Sequence, residues 1–107
     1  MTHARPLYFI LDPFSGSRVA VGAVFGGVGQ AQLLPLVEEA AFALTPLQIA
    51  LVRLALQAIG RQPDLDNLPA ASGPQIVFGD RLALPSGVSS PETWLRRLLV
   101  PRERKAA

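Results

Sequence analysis

The residues of this chain that come nearest to acid–base or cation chemistry are two carboxylate pairs, Glu38-Glu39 and Asp64 with Asp66. Adjacent glutamates on a helix project about 100° apart, so they do not converge on one proton as a catalytic dyad must. Asp64-Leu65-Asp66-Asn67 has the spacing that opens a calcium loop. It lacks the glycine at the sixth position and the closing glutamate that such a loop uses. Gly22-Ala23-Val24-Phe25-Gly26-Gly27-Val28-Gly29 is rich in glycine, but Gln30-Ala31 stand where a phosphate loop has Lys-Ser or Lys-Thr. No serine sits in a Gly-x-Ser-x-Gly elbow. The one histidine, His3, lies at a terminus expected to be loose, and it cannot build a zinc site alone. Cysteine is absent, which removes disulfides, thiolate catalysis and cysteine metal centres. The expectation is a chain that is not an enzyme, with no catalytic, metal or cofactor residues and no small-molecule substrate.

Binding chemistry has better material. Arg96, Arg97, Arg102, Arg104 and Lys105 gather at the C-terminal end and would suit phosphates or an acidic protein partner. The same cations would also stabilise the end of a helix with no ligand at all. Glu92 and Glu103 dilute the patch, and no strand carries paired aromatics for stacking bases. Nucleic-acid association therefore stands as the alternative to a protein partner. A second set is apolar. Leu47, Leu51 and Leu54 in the middle of the chain, with Trp94 and Leu98 near its end, are candidate interface residues.

The elements that must position these groups are written locally. Thr45 can cap a helix and Pro46 fits its first turn; Leu47, Ile49, Leu51, Val52, Leu54, Leu56 and Ile59 follow, up to Gly60 with Pro63 beyond. Apart from Gln48, the polar residues Arg53, Gln57 and Arg61 are four apart, a narrow stripe expected to face solvent. An ordinary surface helix has a broad polar face. This one needs cover on most sides, from a sheet on one flank and from a partner protein or a second copy on the other.

Pro6 to Asp12 is continuously apolar and predicts a strand covered on both faces. A turn at Asp12–Ser17 leads to Arg18–Phe25, where Val19, Val21, Ala23 and Phe25 are expected on one face and the smaller Ala20 and Gly22 on the other, with Val24. Gln30–Leu36 is a candidate third strand, and Val37–Leu44 is read as a short helix. Gln62–Gly73 is a loop. Pro74–Pro85 predicts a second hairpin turning at Gly79-Asp80. Ser90 and Pro91 open a last helix with Trp94, Leu95, Leu98 and Leu99 on one face.

Together these predict a single α+β domain over residues 1–107, with 1–5 and 102–107 loose: an antiparallel sheet of two hairpins, and one further strand, packed on a central apolar helix and a C-terminal amphipathic helix. Charged residues are only 17% of the 107 and the net charge is +2; the roughly one-quarter typical of soluble domains is not reached. All ten basic residues but Lys105 are arginine, in keeping with a GC-rich bacterial genome. Residues 40–60 approach a membrane span in length, but Arg53 would sit near mid-span at a cost of about 2.5–3.5 kcal/mol. The expectation is a cytoplasmic protein, off the membrane, that serves as an accessory subunit or as an oligomer.

Overall fold

The structure is a computed structural model and describes residues 2–27, 29–85 and 87–100. In chain order it forms strands β1 (His3–Asp12), β2 (Ser17–Gly27) and β3 (Gln30–Pro35), helix α1 (Val37–Ala40) running into a 3₁₀ turn (Ala41–Ala43), helix α2 (Pro46–Arg61), strands β4 (Ile76–Phe78) and β5 (Leu82–Ala83), and helix α3 (Pro91–Leu99). The class is α+β, with a five-stranded antiparallel sheet in the order β3-β2-β1-β4 and with β5 also on β1.

The sheet is apolar on both faces. Leu7 and Phe9 of β1 enter one cluster with Val52, Ala55, Leu56 and Ile59 of α2. Ala4 enters a second cluster with Phe25, Leu34 and Leu95 of α3. Successive strand residues point to opposite faces, so α2 and α3 lie on opposite sides of the sheet. The continuous apolarity of β1 is thereby explained.

A bulge changes the expected faces of β2. Leu7 pairs with Gly22 and Tyr8 with Ala20, leaving Val21 as an extra residue. Val19, Val21 and Val24 consequently join the α2 side, while Ala23 and Phe25 join the α3 side. Strict alternation had placed Val19, Val21, Ala23 and Phe25 together; the inserted residue reverses the sense of alternation halfway along. The Val21 carbonyl accepts the Leu36 N–H at 2.9 Å, tying the exit of β3 to the bulge.

The small face expected on β2 is split by the bulge, since Ala20 and Gly22 pair with Tyr8 and Leu7 on opposite faces, and what crowds Gly22 is the neighbouring strand rather than a helix. A Cβ on Gly22 would stand 2.8 Å from the Leu34 carbonyl oxygen and 3.4 Å from a methyl of Leu56. Thr45 caps α2 in a capping box: its hydroxyl accepts from Gln48 N–H at 3.2 Å, and its own N–H donates to Gln48 Oε1 at 2.9 Å. Gln48, which looked like an interruption of the apolar run, is part of the helix start. Val37–Ala43 is helical, α then 3₁₀. Ser90 caps α3, with Pro91 first in the helix.

The two segments on either side of Gly79-Asp80 are strands, but they do not pair with each other. β4 lies along Leu7–Phe9 and β5 along His3–Ala4, both antiparallel to β1. Gly79 donates its N–H to the Pro6 carbonyl at 2.8 Å, and a Cβ there would collide with Tyr8. Gly-Asp is thus a kink within one interrupted edge, not a reversal. A free hairpin would leave the outer polar groups of the ten-residue β1 unpaired; lying along β1 satisfies them. Arg5 fastens the kink, with Nε donating to Gly79 O at 3.1 Å, Nη1 to Leu65 O at 3.3 Å, and its guanidinium 4.3 Å from the centre of the Phe78 ring. Residues 3–5, expected to be loose, are therefore strand, and Ala4 is wholly buried.

Gly22→Ala should lower the free energy of unfolding by about 1–3 kcal/mol, because its Cβ meets backbone that cannot step aside. Gly27→Ala, where a Cβ meets nothing within 4 Å, should stay within about 0.5 kcal/mol. Urea denaturation of both variants checks the contrast.

Candidate interaction surface

At 100° per residue, α2 divides into three sectors. Val52, Ala55, Leu56 and Ile59 point into the core. Arg53, Gln57 and Arg61 are exposed on one thin polar stripe, as the sequence suggests. The third sector is apolar and uncovered: Leu47 is 70% exposed, Leu54 62% and Leu51 44%. With the half-exposed Ala58 they follow one another at steps of four, three and four, the spacing of a helix–helix seam. Ala50, exposed beside them, adds little bulk. Just before the helix, Phe42 is also exposed. Covering a leucine fully is worth about 1.5–3 kcal/mol, so this sector is a standing incentive to association.

The other two apolar candidates lie elsewhere. Trp94 packs partly against the second cluster, and Leu98 is exposed on α3, across the sheet from α2. The five residues do not make one surface, because the sheet separates the two helices. Phe14, at the tip of the first turn, is almost fully exposed and stands alone.

The basic set is also divided. Arg96 forms an ion pair with Glu39 of α1, whose Oε2 is otherwise unpartnered. The pair is part-exposed, so it contributes at most about 1 kcal/mol, yet it occupies Arg96 within the fold. Glu38, Glu39, Arg53 and Arg96 line a cleft of about 640 Å³ where opposite charges already face one another. Arg97 is exposed. Arg102, Arg104 and Lys105 lie outside the described residues.

One grouping was not visible in the sequence. Pairing of His3 with Gly26 brings the imidazole beside the loop after α2. His3, Gly26, Gly27, Asp64, Asp66 and Arg81 line a cleft of about 450 Å³. Its charges are mostly spoken for: Asp66 pairs with Arg81, and Asp64 accepts the Asp66 N–H at 2.8 Å and the Asn67 amide at 3.4 Å. His3 Nδ1 is buried with no hydrogen-bond partner among the described residues. Among those residues no three His, Asp or Glu side chains are placed to hold a metal ion.

A small α+β domain, its sheet clothed on both faces and one helix left with an open apolar side, is the class of molecule that fold and surface define. Comparison with protein-family models, curated proteins and solved structures finds no match to this chain. Among the described residues no helix is long and apolar enough to cross a membrane.

The Asp66 N–H and then the Asn67 amide hold the Asp64 carboxyl below its ordinary 3.8. A carboxylate whose pKa is lower folded than unfolded stabilises the fold above the unfolded value, and that contribution fades as the pH falls through the folded one. Asp64→Asn keeps an acceptor but cannot titrate. Its melting temperature should fall less steeply than the parent's as the pH is lowered below about 4; thermal unfolding across pH measures this.

Proposed function

We propose that this chain is a non-enzymatic protein-interaction module: a small accessory subunit of a bacterial cytoplasmic protein complex, or an obligate homo-oligomer. One observation carries the reading, the exposed sector Leu47, Leu51 and Leu54 on a helix whose opposite side is core. An unpaired leucine row at seam spacing is costly in water and useful against another protein. The low charged fraction agrees with surface that is covered in the cell. The polar clefts, with their charges largely paired, favour no reaction.

The alternative, a nucleic-acid module using Arg96, Arg97, Arg102, Arg104 and Lys105, is weaker because Glu39 engages Arg96. If phosphate contacts mattered, affinity for DNA or RNA would drop steeply between 50 and 200 mM salt. We expect no such steep dependence in a filter-binding or anisotropy series.

Leu51→Asp and Leu54→Asp should leave the melting temperature nearly unchanged while abolishing the mass above one chain seen by light scattering, or the protein that co-purifies with the parent chain. Leu56→Asp, in the core, should unfold the domain. A parent chain that is monomeric and co-purifies with nothing would sink the reading.

A further inference from the structure

Resting on the reading of α2 as a docking surface, we infer that its occupant is an amphipathic helix of another protein, running antiparallel, with an apolar seam and acidic residues in its first turn. The argument is one of charge. Steps of four, three, four and three carry the open seam from Leu47 through Leu51, Leu54 and Ala58 to Arg61. The seam thus ends in an exposed guanidinium, Arg61, which forms no ion pair with another described residue; Arg53 stands about 100° round the helix from Leu54 and faces away from the seam. Glu38 shares a cleft with Arg53, but Glu39 there is taken by Arg96.

An antiparallel partner lays its N-terminal turn beside Arg61. Acidic residues are favoured in that turn by the partner's own helix dipole, so the same carboxylates answer Arg61 and stabilise the helix that carries them. A second copy of this chain supplies the wrong chemistry. Its α2 begins Pro46-Leu47-Gln48, has no acid in its first turn, and has none anywhere along its length. In an antiparallel pair the end of one helix lies beside the start of the other, so self-pairing would set each Arg61 against Pro46–Gln48 of the other copy, where there is no carboxylate. The small Ala58 and Ala50 leave room for a partner helix to approach, so the seam itself accepts a leucine row and charge selects which one.

The test uses the full chain and two synthetic helical peptides of about 18 residues with the same four-three leucine seam. One carries Glu in its first turn, the other Lys there. Fluorescence anisotropy at low salt should show the Glu peptide binding about three- to tenfold more tightly, an advantage that shrinks in high salt. Arg61→Glu should reverse the preference, and Leu54→Asp, or Leu47→Ser as a second variant, should weaken both peptides. Equal binding of the two peptides, still lost in Leu54→Asp, would overturn the acidic partner and keep the docking surface. Binding of neither peptide would overturn both. A parent chain that light scattering shows to be a dimer, and that Leu54→Asp makes monomeric, would overturn the inference in favour of a second copy.

Discussion

The extra residue at Val21 governs this fold. Without it, strict alternation would put Val19, Val21, Ala23 and Phe25 of β2 on one face. With it, Val19 and Val21 before the bulge and Val24 after it face α2, while Ala23 and Phe25 face α3. Both faces then demand cover, and the domain must place a helix on each. The same register sets Gly22 against the Leu34 carbonyl of β3, with Leu56 of α2 above it, so that a side chain there would press on the neighbouring strand.

Burial on α2 is one-sided as a consequence. A cylinder resting on a sheet hides roughly the arc it presents to the strands, here Val52, Ala55, Leu56 and Ile59. An ordinary helix would fill the remainder with polar residues. Here the outer arc is shared between a polar stripe and a leucine row. α3 packs on the far face of the sheet and meets this side only where Arg96 pairs with Glu39, and Leu47 and Leu54 stay exposed. The uncovered leucines are therefore not a packing accident at one position but one sector running the length of the helix. That continuity separates this surface from Phe14, whose isolated exposure is common on protein surfaces and says little.

What could be read from the sequence was local. Thr45-Pro46 and Ser90-Pro91 announced their helices because a cap and a first-turn proline act within four residues. The buried, two-faced character of β1 showed in its unbroken apolarity, and the outward stripe Arg53–Gln57–Arg61 in its four-residue repeat. What escaped was set by partners distant in sequence. Gly79-Asp80 has the composition of a hairpin turn, and only the length of β1, some seventy residues earlier in the chain, explains why the two strands lie end to end instead. The bulge left no mark, since Val21 is as good a strand residue as its neighbours. His3 looked idle because nothing nearby revealed that it would pair with Gly26 and stand over the loop at Asp64 and Asp66. Of the candidate surface, the leucines were legible as an excess of apolar residues; their separation from Trp94 and Leu98 was not, because the sheet between them is a product of pairing.

Charge sharpens the meaning of that surface. In the 450 Å³ cleft, Asp66 meets Arg81, and in the larger one Glu39 meets Arg96, so these polar groups are spent in holding loops and helices together. Arg5 is spent likewise on Gly79 and Leu65. Arg61 is not so engaged: it ends the exposed leucine row of α2 and forms no ion pair with another described residue. Cations satisfied inside a domain report on its architecture; the one at the end of the leucine row is what the proposed partner would answer. A partner that covered the leucines without carboxylates would bring Arg61 into a drier setting with no counter-charge, and the desolvation would offset part of the apolar gain. Under the proposal, apolar fit and acidic complement arrive on the same helix.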